Sequence, residues 1–468
     1  LGPEDSEAYE HASLDHAIVL HPHLFREQNG LRSAEERLEE AVGLTAAIKL
    51  TITDAQIVTL SEARPATLIG RGKVEEIRTA LDMTEPRPGL VIVNANLTPV
   101  QHRNLENEWK AKVLDRTALI LEIFGARAQT KEGRLQVALA HLNYQRSRLV
   151  RSWTHLERQR GGAGFLGGPG ERQIEADRRI LADKIDRLKA QIEQVRRTRT
   201  LQRAKRKKAP HPVIALVGYT NAGKSTLFNR MTGAGVMAED LLFATLDPTM
   251  RAVDLPGVGR VILSDTVGFI SDLPTDLVAA FRATLEEVLE ADIILHVRDI
   301  AHPESDAQRH DVISVLGNIG IEEDDLERQV IEVWNKIDLL DEEDCSTAMS
   351  VSKLRSEGAE GSLEDPIIVA VSAFEGINLS ALFAAIDERL TREFNHYTVV
   401  LGPEDGAAEA WLHQNGDIQT IEPADQQGGR LISVRLGEKG AGQFQSKFSL
   451  VLNQDGLDAQ PLKDTSIA

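Results

Sequence analysis

The chain has a single cysteine in 468 residues, Cys345, so no internal disulfide can brace it. The acidic run Asp341 to Asp344 beside it offers no metal-ligand spacing, and the thiol reads as incidental. Long apolar runs are equally scarce. No segment approaches the roughly 20 residues that a bilayer-spanning helix needs, and the first residues carry no basic and apolar signal pattern. The expectation is a soluble, cytoplasmic monomer with no stable membrane insertion. His11, His16, His21 and His23 fit no metal-ligand spacing and are expected at the surface. Residue 1 is leucine, which leaves the true start residue open.

Positive charge is also short overall, since the net charge is −19, and at face value this argues against nucleic acid. Its distribution argues the reverse. Between Arg146 and Lys208 stand 19 Lys/Arg against 7 Asp/Glu, a net of +12 that leaves −31 for everything else. Arg196, Arg197, Arg199, Arg203 and the run Lys205-Arg206-Lys207-Lys208 have the density of a phosphate-backbone footprint, with a solvated helix face plus linker as the alternative.

What is present in strength is a series of five short motifs. Gly218-Tyr219-Thr220-Asn221-Ala222-Gly223-Lys224-Ser225, then Thr226, follows the apolar run Val213 to Val217, which is the strand, glycine loop and helix context of a phosphate-binding loop. Its glycines let N–H groups turn to phosphate, Lys224 adds positive potential and Ser225 offers a hydroxyl to Mg2+. Downstream come Phe243-Ala244-Thr245-Leu246-Asp247, Asp265-Thr266-Val267-Gly268, Asn335-Lys336-Ile337-Asp338 and Val371-Ser372-Ala373. The fourth motif selects the base: Asp338 can accept from guanine N1–H and N2–H, and adenine has no such donor pair. An amide of the Ser372-Ala373 turn suits guanine O6. Thr245 is expected on Mg2+ and the γ-phosphate, Asp265 on Mg2+ through water, and Lys224, Thr245 and Gly268 carry the chemistry.

One catalytic group is missing. Ras-like proteins place a water-orienting glutamine directly after the third motif, and here that position is Phe269. Hydrolysis by the isolated protein should therefore be slow and need a partner or an ion. Asn221 stands where an asparagine can hold K+ against the phosphates; a loop-capping role is the alternative.

Around these motifs the expected architecture is α/β. A doubly wound, mainly parallel P-loop domain (209–393) is preceded by an α/β N-terminal subdomain (1–125) and a long antiparallel helical hairpin (126–208), and followed by a small α/β C-terminal domain (394–468). In the first, strands are predicted at Ala17 to Leu20, Ala46 to Ile52, Ala66 to Ile69, Leu90 to Val93 and Lys112 to Leu114, with helices at Ser33 to Val42 and Lys73 to Leu81. The hairpin rests on heptad-spaced Leu135, Leu139, Leu142 and Leu149 and on Leu181, Ile185, Leu188, Ile192 and Val195. Between them Gly161 to Gly170 holds six glycines and a proline and is predicted non-helical; Phe165-Leu166 at its centre favours a working tip over a linker.

Asp115-Arg116-Thr117 through Ile123-Phe124, Ala126 to Thr130 and Glu132 to Val137 resemble the N-terminal region of the HflX family, of the TRAFAC class and Obg/HflX-like group. The glycine-rich tip, the coiled helices and the phosphate-loop and Phe-Ala-Thr-Leu-Asp motifs resemble it too, over about residues 15 to 395. The resemblance implies a Mg2+-dependent GTPase that binds the large ribosomal subunit and its rRNA through the hairpin and separates stalled or idle ribosomes under stress, with the ribosome as activator. A GTPase of tRNA modification and a nucleotide-switched regulator of a membrane protease are the alternatives.

Overall fold

A computed structural model describes residues 13–25, 32–159, 169–206, 211–233, 249–255, 259–271, 287–321, 329–356, 367–391, 395–424 and 429–454. The first unit alternates strand and helix: β1 Ser13–Leu24, α1 Ala34–Ala46, β2 Thr51–Leu60, α2 Arg71–Met83, β3 Pro88–Val93, α3 Pro99–Trp109 and β4 Lys112–Asp115. Each helix serves as the crossover that a parallel pair requires, and the sheet has the order β2-β1-β3-β4 with every pair parallel. Because successive strand residues point to opposite faces, Ala17 and Val19 of β1 pack with Ala41 and Leu44 of α1, while Ile18 and Leu20 pack with Ile77, Leu81 and Trp109 of α2 and α3. Three residues from far downstream, Tyr219, Val267 and Ile270, complete the core of the first face. Capping boxes at Ser33 with Glu36 and at Thr98 with Gln101 fix where α1 and α3 begin.

Two expected strands are corrected. Ala46 ends α1, residues 47–49 form a turn, and β2 starts only at Thr51. The apolar residues Ala47 and Ile48 belong to the same core as Leu44, so that run prolongs a helix face and does not start a strand. Ala66 to Ile69 makes a single bridge, Arg64 to Leu68, because Leu68 sits at φ 65 and turns the chain.

Asp115 caps α4, Arg116–Arg127, by accepting from the Ala118 N–H at 2.8 Å. The long helices α5 Lys131–Gln159 and α6 Pro169–Arg206 pack against each other. Of the expected stripe on α6, Ile185 is buried and Leu181, Leu188, Ile192 and Val195 are half-buried. On α5, Val137, Ala140 and Tyr144 face the first sheet's core, and Leu135, Leu139 and Leu142 are half-buried. Asp115 anchors α5 by accepting from Tyr144 Oη at 2.8 Å and Arg148 Nη2 at 2.5 Å. The expected tip loop lies outside the described residues up to 168. Pro169 and Gly170, predicted non-helical, instead open α6, where a proline's missing N–H costs nothing.

The nucleotide domain comprises β5 Val213–Val217, α7 Lys224–Thr232, β6 Thr249–Leu255, β7 Gly259–Asp265, β8 Ile293–Asp299, α8 Ser305–Ile319, β9 Val330–Asn335, α9 Glu342–Ser356, β10 Ile367–Ala370 and α10 Leu379–Thr391. Its sheet order is β10-β9-β8-β5-β7-β6, parallel except for β6. The order reverses at β5, and in such sheets the crevice beyond the carboxyl end of that strand is where ligands bind.

The last unit runs β11 Asn395–Leu401, α11 Gly406–Asn415, β12 Asp417–Pro423, β13 Arg430–Leu436, α12 Glu438–Phe448 and β14 Asn453–Gln454. It is a split βαββαβ motif with antiparallel order β12-β13-β11-β14. Trp411 joins its two helices through ring contacts with Phe444 at 5.5 Å and Phe448 at 6.3 Å. Among the described residues no helix is long and apolar enough to cross a membrane.

Candidate nucleotide site

The loop after β5 closes by conformations that few side chains tolerate. Gly218 lies at φ +151 with a hypothetical Cβ 2.2 Å from the Val297 carbonyl oxygen, and Gly223 at φ +90 with one 2.2 Å from Asn335 Nδ2. Asn221, exposed, holds φ 60. The turn delivers Lys224, buried at the start of α7, so that its Nζ donates to the carbonyls of Gly218 at 3.1 Å and Tyr219 at 2.6 Å. Burial pulls the ammonium down to about 8, against Asp265, which raises it, and with Lys336, which lowers it further. A cation held so poorly solvated is a receptor for anionic oxygen.

Ser225 Oγ donates to Asp265 Oδ2 at 2.8 Å, which sets a hydroxyl and a carboxylate side by side next to Lys224. Such a pair suits Mg2+, an ion that takes one or two protein oxygens and completes its shell with phosphate and water. No cluster of three or more His, Cys, Asp or Glu suited to a metal ion occurs among the described residues. Thr220, its Oγ1 buried without a hydrogen-bond partner, and half-buried Thr226 complete the loop region. Thr266 donates its hydroxyl to the Leu216 carbonyl and ties the third motif to β5.

Gly268 approaches the phosphate loop closely: a Cβ there would meet Thr220 Cα at 2.9 Å and Lys224 Nζ at 3.0 Å. Phe269 follows with its N–H donated to the Gly218 carbonyl at 3.1 Å, and its carbonyl accepts from the Thr220 N–H at 2.8 Å. Its ring is buried among Ala215, Val217, Val288 and Ile294, so the position that lacks a glutamine has become part of the core.

Asn335 joins the two ends of the site. Its Nδ2 donates to the Ala222 carbonyl at 2.8 Å and its Oδ1 accepts from the Ala373 N–H at 2.9 Å. Lys336, at φ 66, pairs with Asp299 at 2.7 Å; the Ile337 N–H donates to the Val371 carbonyl, and Asp338 is exposed. Both amides expected to meet guanine O6 have protein partners here, since the Ser372 N–H donates to the Ile377 carbonyl. The first-switch residues Phe243, Ala244, Thr245, Leu246 and Asp247 lie outside the described residues.

Sequence reasoning missed the residues that surround the loop. Arg230 of α7 donates to the Ala373 carbonyl at 3.1 Å and steadies the fifth motif. Arg32, Glu40 and Ser271 gather on Tyr219, with Arg116 bonded to Glu40 and Ser271, and spacing gives no hint of this because the chain positions are so far apart. His21, expected at the surface, is 4% exposed and bonds Asn94 through Nδ1; burial first, then Arg37, lowers it to about 4. It closes the buried run of β1, Ala17 to His21, which an isolated histidine pattern does not reveal.

Comparison with known families and proteins gives a consistent picture. Residues 35–125 match the model described as GTP-binding GTPase N-terminal, 127–206 the GTP-binding GTPase Middle Region, and 213–336 the 50S ribosome-binding GTPase. A protein named GTPase HflX from Magnetococcus marinus is 46% identical over 451 residues, 96% of this chain and 98% of that one. GTPase HflX of Escherichia coli is 44% identical over 385 residues, 81% of this chain and 85% of that one. A crystal structure of a GTP-binding protein from Sulfolobus solfataricus in complex with GDP aligns with a TM-score of 0.43 and 24% identity, over 81% of this chain and 99% of that chain.

Proposed function

Because this chain belongs to the HflX family of GTPases, we propose that it hydrolyses GTP while bound to the large ribosomal subunit, and that it separates stalled or idle ribosomes under stress. The observation that carries the ribosomal part is the charge on α6. Arg178, Arg179, Lys184, Arg187, Lys189 and Arg197 are exposed on a helix that belongs to an otherwise acidic chain. Such a concentration suits RNA phosphates, and one matching family model is described as ribosome-binding. In the same proposal the chain divides into its units at 125, 208 and 393.

In this reading the phosphates lie over residues 218 to 225, with Lys224 neutralising their charge. Ser225 and Thr245 would hold Mg2+ directly and Asp265 would hold it through water, and the ion bound there would supply positive charge to offset what develops on the phosphoryl oxygens. Gly268 offers its N–H to the terminal phosphate, and Asp338 reads the base within a frame set by Asn335 and Ala373. Phe269 contributes no polar group, so the remaining catalytic charge would come from the ribosome and from K+ held at Asn221.

Two measurements test this. In a density gradient, the protein loaded with a nonhydrolysable GTP analogue should comigrate with large subunits and the GDP form much less; migration indifferent to nucleotide and subunit would remove the ribosomal reading. Turnover should be higher in KCl than in NaCl at equal ionic strength, by about tenfold, the effect of ~1.4 kcal/mol in the barrier. Asn221→Ala should erase the difference, and a potassium effect that survives it would sink the ion's assignment.

A further inference from the structure

The contact between the first α/β unit and the nucleotide domain converges on one phenol. Tyr219, buried in the phosphate loop, donates its hydroxyl to Glu40 and accepts from Arg32 Nη1 at 2.8 Å and from the Ser271 backbone N–H at 2.7 Å. A phenol has one donor and two acceptor sites, so all three are filled. The other oxygen of Glu40 accepts from Ser271 Oγ at 2.7 Å and Arg116 Nη2 at 2.9 Å, and Arg116 also donates to the Ser271 carbonyl at 2.8 Å. Arg32 lies over the Tyr219 ring, 5.0 Å from its centroid, and pairs with Asp311 at 2.7 Å and Glu304 at 3.5 Å on the nucleotide domain.

The two points so gripped stand on either side of Gly268. Tyr219 belongs to the phosphate loop and Ser271 lies three residues beyond Gly268. Between them Phe269 is bonded by both its backbone groups to that loop, and Gly268 has no room even for a methyl group. Burial pushes the Glu40 carboxyl up, but Arg116, the two hydroxyls and Arg32 outweigh it and keep the group ionised. Burial and the Glu40 charge raise Tyr219, which therefore stays a neutral donor. A neutral phenol and a paired carboxylate form a link that is fully satisfied and therefore stiff.

We propose that Glu40 is a positioning residue for GTP hydrolysis, which acts through the Tyr219 hydroxyl and Ser271 to hold Gly268 against the phosphate loop. The inference rests on the reading of Gly268 as a ligand of the terminal phosphate. Through this link the α/β unit that precedes the hairpin helps to set the hydrolytic geometry. GDP lacks the phosphate that Gly268 would meet, so its binding should be indifferent to the link.

The test compares Glu40→Gln, Tyr219→Phe and the double variant by single-turnover hydrolysis and by titration with fluorescent GDP. Each single change should slow hydrolysis by roughly tenfold, since ångström-scale misplacement of catalytic groups costs up to about a hundredfold. The double variant should be no slower than the worse single one, because both cut the same link, while GDP affinity stays within about twofold of the parent. Tyr219→Phe keeps the ring in its core and carries the test alone should Glu40→Gln fail to fold. Unchanged hydrolysis in folded Tyr219→Phe, multiplying effects in the double variant, or a parallel fall in GDP affinity would each overturn the proposal. Gly268→Ala separates the two readings: if it hydrolyses GTP like the parent, the assignment of Gly268 is what fails. If it is inactive while both link variants keep full rates, only the role of Glu40 fails.

Discussion

Asp338→Asn should turn the protein away from GTP and toward XTP. The carboxylate is exposed at the mouth of the site and free to accept from both donors on guanine, while the backbone around it is fixed by the Ile337 to Val371 hydrogen bond and by Lys336 on Asp299. The amide in its place offers one acceptor and presents an N–H to a guanine donor. A hydrogen bond to a charged group contributes about 1.5–3 kcal/mol, so losing one and setting a donor against a donor should weaken GTP binding by roughly tenfold to a hundredfold or more. Xanthine carries an oxygen where guanine has its amino group, and the asparagine N–H then finds an acceptor. Competition of GTP and XTP for the same labelled GDP reads the outcome. A variant that keeps the parent's preference for GTP would show that Asp338 does not read the base.

Replacing residues 161–170 by a short polar turn should abolish subunit separation and leave GTP binding as it was. α5 is anchored to Asp115 through Tyr144 and Arg148, and from Arg148 to its last residue, Gln159, the helix runs on for roughly 16 Å. The replaced segment joins the end of α5 to the start of α6 and has no sequence neighbour among the nucleotide motifs. Glycine backbone approaches RNA closely, Phe165 and Leu166 can stack on or pack against bases, and Arg158, Arg160 and Arg172 flank them in sequence. Binding to subunits should persist through the basic face of α6 and should weaken steeply with salt. Splitting of purified ribosomes by GTP-loaded, folded variant is the measurement, and undiminished activity would reduce the segment to a connector.

The nucleotide site was legible because its chemistry is written in contiguous residues. A phosphate loop needs glycines and a lysine within one turn, so Gly218 to Ser225 announce themselves without any fold. Strand limits were less legible. Thr51 to Leu60 contains Thr51, Thr53, Asp54 and Gln56, and with the strand at the sheet's edge its half-exposed faces do not read as a buried run. Ala46 to Ile48 is apolar because it closes a helix, which looks the same in sequence as the start of a strand. The missing glutamine at Phe269 was visible, but not that the ring would be taken into the core with Val288 and Ile294. Least legible was the gathering of Arg32, Glu40, Arg116 and Ser271 around Tyr219, since a tertiary contact between residues so far apart in the chain has no local signature. The paired aromatic helices at the end of the chain, α11 and α12, were likewise invisible because Trp411 is separated in sequence from Phe444 and Phe448.

The core shared by Tyr219, Val267 and Ile270 with the first sheet bears on the order of biosynthesis. All other residues of that cluster lie between Ala17 and Ala140, so at the moment Ala140 is joined the sheet's first face still lacks three side chains. At roughly 5–20 residues per second, Ile270 follows some 7–26 s later. Throughout that interval the cluster lacks those three side chains, and a nascent chain in this state is open to chaperones and to mispairing. Codon choice between positions 140 and 270 therefore acts on how long the first domain stays unfinished, even though that stretch encodes none of its strands.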